Sequence, residues 1–179
     1  MGSRPGLSCD IHLNSALSEE DRRIYQNQEV ITRILSEADT VAVYGLSSRS
    51  HKASQFVASY LQYEGYRIIP INPYADEILG NESYPDLLSV EEDVDVVDIF
   101  RPPGECSDIV EQAIEKNVSA VWLQLKIINL DAGRRARHAG LDVVMDKCMK
   151  MEHGRYSGGL HSMGMNTELI TARRGVRIR

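Results

Sequence analysis

Five short, almost continuously apolar runs, separated by stretches with helical spacing, constrain this 179-residue chain more than any other feature. They are TVAVYG (40–45), YRIIPIN (66–72), DVVDIF (95–100), SAVWLQL (119–125) and LDVVMD (141–146). Runs of this length without polar alternation suit strands buried on both faces. Phe56, Val57, Tyr60 and Leu61 make a helical stripe between the first two runs, and Ile109, Val110, Ala113 and Ile114 make another between the third and fourth. Residues 129–140 read as a helix with Asn129 as N-cap, Asp131 in the first turn and Gly140 at the end. The alternation predicts an α/β fold: a Rossmann-like, doubly wound parallel sheet of about five strands in the order 3-2-1-4-5. Right-handed crossovers then pack helices on both faces.

Around this unit, residues 1–17 lack periodicity and read as a flexible arm. From Ser18 an acidic first turn and the spacing of Ile24, Ile31 and Leu35 predict one leading helix, so that 18–155 forms a single domain and 156–179 a C-terminal extension. No run approaches the roughly 20 apolar residues of a membrane span, and the first residues have no apolar signal core. A cytoplasmic protein with no membrane partner is expected. Cys9, Cys106 and Cys148 are scattered without a CxxC pair, which indicates neither a disulfide framework nor a zinc site. The formal charge is -6, and without the tail arginines Arg173, Arg174, Arg177 and Arg179 the chain has 16 basic against 26 acidic residues. That balance argues against a nucleic-acid partner and leaves an anionic small ligand open. The leading helix and the tail are both candidates for a homodimer interface.

In a doubly wound sheet the ligand crevice lies at the carboxyl ends of the strands, where neighbouring connections diverge to opposite faces; the order above puts it between the connections after the first and fourth runs. YGLSSRSHKAS, INPYADE, FRPPGE and LQLKIIN emerge at that edge. Gly45 permits a tight turn, Ser47, Ser48 and Ser50 offer hydroxyls, the next helix presents unpaired N–H groups, and Arg49 and Lys52 add charge. This reads as a phosphate turn, or as a plain helix N-cap cluster with two solvated cations. A GxGxxG turn is missing and the second run ends in Asn72 and Pro73 rather than an acid, which disfavours NAD. The absence of GxxxxGK[ST] excludes an ordinary nucleoside triphosphate loop.

In order and spacing, VAVYGLSSRSHKASQFVASYLQYEGYRIIPINP, EILGNESYPDL, DVVDIFRPP, AVWLQL and AGLDVVMDKCMKMEH resemble the small CoA-binding domain proteins, related to the CoA-binding domain of succinyl-CoA synthetase alpha subunits. The resemblance runs from about residue 22 to the end, with GMNTELITARR as a tail element. It implies that the turn holds the diphosphate of coenzyme A or an acyl-CoA. Gly45, Leu46, Ser47 and Ser48 would lie against the phosphates, with Arg49, Lys52 or Ser54 completing the site. Asn72 and Pro73 would border the adenosine, Phe100, Arg101 and Pro102 would line the nucleotide crevice, and Gln124, Leu125 and Lys126 would face the pantetheine arm. The synthetase has a basic residue after the strand-two loop; here Tyr74 and Ala75 follow, a departure that bears on the ribose 3′-phosphate. From the residues themselves, Arg101 could either fork a phosphate or cap the next helix.

Other groups invite chemical readings beside plainer ones. Cys148, next to Lys147, could carry a lowered thiol pKa and form a mixed disulfide with coenzyme A, or be a structural cysteine. His153 and His161 lack metal-ligand spacing and read as structural or surface residues, whereas His51 could donate to an anion or cap the turn. Trp122 and Tyr44 read as core or pocket wall. No catalytic constellation and no metal site is apparent, so whether the chain is an enzyme stays open. A stand-alone CoA-binding module is the leading reading; a component of an acyl-CoA ligase acting with a partner chain comes next, and an NAD(P)-dependent oxidoreductase last.

Overall fold

The computed structural model describes residues 17–156. The expected arm before Leu17 and the extension after Tyr156, with His161 and the tail arginines, lie outside them. Two helices, not one, lead into the sheet: α1 (Glu19–Tyr25) and α2 (Gln28–Glu37). The Asn27 side chain accepts from the N–H groups of Glu29 and Val30, taking donors that a continuous helix would have given to carbonyls one turn back.

The remaining elements alternate as expected: β1 (Thr40–Tyr44), α3 (Ala53–Tyr63), β2 (Arg67–Ile71), a minimal hairpin of β3 (Glu77–Ile78) and β4 (Asn81–Glu82), β5 (Val96–Ile99), α4 (Cys106–Glu115), β6 (Ala120–Leu123), α5 (Leu130–His138), β7 (Asp142–Met145) and α6 (Met149–Tyr156). The sheet is parallel throughout, ordered β2-β1-β5-β6-β7. The doubly wound fold stands, with one refinement. The run 95–100 pairs directly with β1, and the position outside β2 is held by Tyr84 through an isolated parallel bridge to Ile71. Tyr84 donates its N–H to Pro70 O and accepts from Asn72 N–H, and Pro85, lacking an N–H, does not extend the pairing. Counted as the third strand, this bridge gives the Rossmann-like winding 3-2-1-4-5, with β7 added at the far edge. The diverging connections are therefore those after β1 and β5, not the one after 119–125 that the sequence suggested.

Strand alternation divides the core into two layers. Ala42, Ile69, Ile71, Val97, Ile99, Val121 and Leu123 face α4 and α5, whose Ile109, Val110, Ala113, Ala132 and Ala136 cover them. Val41, Val43, Ile68, Val96, Trp122 and Val144 face α2, α3 and α6, covered by Ile31, Ile34, Leu35, Val57, Leu61 and Met149. Phe56 departs from its expected stripe. It is 61% exposed, and its ring instead lies under the Lys150 ammonium at 3.5 Å.

Candidate functional site

The switch between β1 and β5 begins at Gly45, which continues the β1 ladder by donating to Ile71 O (2.9 Å) and then turns with φ +86°. A Cβ there would fall 2.7 Å from Arg101 Cδ and 3.0 Å from Phe100 O, so both the conformation and the close approach require glycine. Leu46 is fully buried and anchors the turn in the α3 layer. Asn72 Nδ2 donates to Leu46 O (2.7 Å) while Asn72 Oδ1 accepts from Tyr74 N–H (2.9 Å), tying the end of β2 to the turn. Ser47 N–H donates to the buried Ser54 hydroxyl (3.1 Å), and Ser47 Oγ accepts from Arg49 N–H (3.2 Å).

What this bonding leaves over defines the site. Among the described residues the N–H groups of Leu46 and Ser48 have no partner, and α3 begins at Lys52 without a side-chain cap. Free N–H groups of the turn and the first turn of an 11-residue helix thus share one edge, where the helix dipole favours negative charge. Ser48, Arg49, Ser50, His51 and Lys52 are all exposed, and neither of the two cations, Arg49 and Lys52, is ion-paired within the described residues. Nothing on the turn neutralises them.

Across the crevice, Phe100 donates its N–H to Tyr44 O (2.8 Å) and is half-buried. Arg101 makes a two-pronged pair, but its partner is Glu105: Nε to Oε2 at 2.7 Å and Nη2 to Oε1 at 3.0 Å. The fork expected for a phosphate is here closed on a carboxylate of the 3-10 turn Pro103–Glu105, which follows the exposed Pro102. The structure thus gathers Gly45, Leu46, Ser47, Ser54, Asn72, Phe100 and Arg101 around one crevice, with Pro73 exposed at its rim. Gln124, Leu125 and Lys126 follow β6, one strand farther on. Gln124 is buried and turned inward, donating to both oxygens of Asp98 (2.8 and 3.0 Å). Lys126 is exposed, with a positive φ and its N–H on Asp146 Oδ1 (2.7 Å).

Asp98 escaped the reading of the sequence, although a lone acid inside DVVDIF was its signal. It is fully buried between Val43 and Trp122 in register, and burial raises its carboxyl to about 8 against the lowering effect of the Gln124 hydrogen bond. Of the two readings of Cys148, the structural cysteine is the one the surroundings favour. Burial pushes that thiol up, and the Lys147 ammonium is directed toward Glu152 at 3.8 Å instead. His153 is buried, with Nδ1 3.0 Å from the Tyr60 hydroxyl and its ring edge-on to Tyr60 and Tyr66; burial lowers its pKa. Trp122 is core, its Nε1 donating to Lys147 O (2.8 Å), and Tyr44 is a half-buried wall residue. A separate pocket lies at the opposite, amino edge of the sheet, between Arg33, Ile34, Asp95, Ser119 and Asp142, away from every residue singled out above.

The chain matches the family model of the CoA binding domain over residues 39–154. It is 33% identical over 123 residues to the uncharacterized protein YneT of Bacillus subtilis, covering 69% of this chain and 91% of that one. A hypothetical protein of Pyrococcus horikoshii superposes with a TM-score of 0.70 at 36% identity, covering 72% of this chain and 91% of its own. The acetate–CoA ligase (ADP-forming) of Methanocaldococcus jannaschii is 31% identical over 86 residues, 48% of this chain but only 12% of the ligase. Among the described residues, no helix is long and apolar enough to cross a membrane.

Proposed function

We propose that this chain, which belongs to the CoA-binding domain family, holds coenzyme A or an acyl-CoA at the Gly45–Lys52 turn and acts as a small binding module that buffers, senses or delivers the thioester. The observation that carries the reading is the set of unengaged N–H groups at Leu46, Ser48 and the uncapped start of α3, beside the unpaired cations Arg49 and Lys52. A diphosphate supplies the acceptors and the charge that this edge lacks. The strand-two end supports the same ligand over NAD, because β2 runs directly into Asn72 and Pro73, with Asn72 bonded to Leu46 O and Tyr74 N–H, and no acid stands at the strand end itself to hold a ribose diol, the first being Asp76. The rest of coenzyme A, a long weakly polar arm, needs a groove rather than many partners, and this reading assigns it to the edge past Phe100 toward Leu125.

In this reading the protein's own groups bind and orient. Gly45 lets the backbone approach the phosphates, Ser47 and Ser54 hold the turn's shape before the ligand arrives, and Arg49 and Lys52 raise the local anion concentration. Calorimetric titration with coenzyme A, after removal of co-purified nucleotide and with NAD in parallel, tests it: saturable binding of coenzyme A alone is expected. Binding of NAD alone would overturn it.

The match to a segment of an acetate–CoA ligase favours a second reading, in which the chain supplies the CoA site of a two-chain ligase. That reading requires a stable hetero-complex on affinity purification and acyl-CoA formation only in its presence.

A further inference from the structure

The crevice is electrostatically lopsided. Among the described residues its unpaired cations, Arg49 and Lys52, both belong to the connection after β1. The connection after β2 reads Asn72-Pro73-Tyr74-Ala75-Asp76-Glu77: it carries no cation and two exposed carboxylates. In a doubly wound nucleotide site the ribose lies at the end of the second strand, and a phosphomonoester on that ribose is held by a basic residue nearby. Here Asn72 is bonded at both ends of its carboxamide, to Leu46 O and Tyr74 N–H, and Tyr74 is 93% exposed and offers only a phenol hydroxyl. On the facing wall stands Arg101, close enough to Tyr74 to interact with it electrostatically. Both prongs of its fork are occupied by Glu105.

From this distribution we infer that the site selects for the diphosphate-linked adenosine and not for the ribose 3′-phosphate, so that its ligand class is the adenosine diphosphate–pantetheine scaffold, with dephospho-coenzyme A bound at least as tightly as coenzyme A. The inference rests on the coenzyme A reading above and narrows it. A 3′-phosphomonoester adds close to two negative charges at neutral pH. Against the β2 connection these charges meet Asp76, Glu77 and the Glu105 carboxylate that already holds Arg101, so no charge-assisted bond repays their desolvation. The diphosphate, at the β1 connection, meets free N–H groups and unpaired cations. Recognition is thus assigned to one end of the nucleotide.

The test titrates the full chain with coenzyme A and with dephospho-coenzyme A, in the wild-type protein and in Tyr74→Lys. Tyr74 makes no buried contact, so the variant tests recognition rather than folding. The expected wild-type result is a Kd for dephospho-coenzyme A equal to or below that for coenzyme A. In Tyr74→Lys the ratio of the two constants should move toward coenzyme A by roughly tenfold, the size of one charge-assisted contact. Tighter wild-type binding of coenzyme A by tenfold or more would overturn the inference and leave the coenzyme A reading intact. Failure of both ligands to bind would overturn that reading and this one together. An unchanged ratio in Tyr74→Lys would remove the β2 connection as the place where the 3′-phosphate is discriminated, and the inference with it.

Discussion

Two regions at the carboxyl edge of one sheet are built to opposite ends. After β1, the turn through Gly45 leaves backbone donors, a helix start and the cations Arg49 and Lys52 without partners among the described residues. After β7, nearly every polar group is spoken for. Gln26 donates to Met145 O, Trp122 to Lys147 O and Lys126 N–H to Asp146, while buried Glu152 takes Arg155 at 3.1 Å and Lys147 at 3.8 Å. A region whose polar groups are all paired is a joint, holding α6 to the sheet. One whose donors are arranged but unpaired is a place for a ligand. The richest set of chemically suggestive side chains, Cys148, His153 and Lys147, falls in the joint.

The sharpest way to break this comparison is to put charge into the open region. Ser47→Glu sets a carboxylate where the diphosphate should lie and is expected to weaken coenzyme A binding by more than ~100-fold, as read by calorimetry, with little change in melting temperature. The reverse pattern is expected in the joint. Glu152→Ala strands the buried Arg155 and the half-buried Lys147 and should cost about 3 kcal/mol of unfolding free energy in a denaturant titration. Coenzyme A affinity in the variant that remains folded should match the wild type.

That reversal also shows what was legible in the sequence. The strands, the crossover helices, the Asn129 cap and the Gly45 turn could be read because each is written locally, in a short apolar run or a residue with a special backbone role. The pairing of 95–100 with β1 could not, because the one-residue strand at Tyr84 that completes the winding has no run of its own. Nor could the break at Asn27, since the spacing of Ile24, Ile31 and Leu35 fits one helix as well as two. Arg101 looked like a phosphate ligand or a cap, and its pairing with Glu105 depends on the path of the 3-10 turn between them. Cys148 could be read either as activated, because Lys147 adjoins it in sequence, or as structural. In space the half-buried thiol meets desolvation, and the ammonium turns to Glu152.

Asp98 sharpens the comparison through pH. Its folded-state pKa of about 8 lies above its value in the unfolded chain, so its contribution to stability is complete in acid and is lost as pH rises toward and through 8. Asp98→Asn should therefore stabilise the protein at pH 8 by on the order of 2 kcal/mol relative to wild type, with the difference vanishing below about pH 4. Denaturant melts across that range would show it, and a pH-independent difference would mean that the carboxyl is ionised in the fold.

Smaller effects belong to the rim. Glu105→Gln frees the Arg101 fork and should tighten coenzyme A binding by about threefold at low salt, the scale of an exposed ion pair. Arg177→Ala, in the basic tail, should leave binding unchanged.

The most direct test of the central claim follows backbone amides by NMR as coenzyme A is added. The account gives large shifts and slowed exchange at Leu46, Ser48 and the first amides of α3, with Asp146 to Met149 little affected. A saturating ligand that leaves Leu46 and Ser48 unmoved, or moves the β7 connection instead, would contradict it.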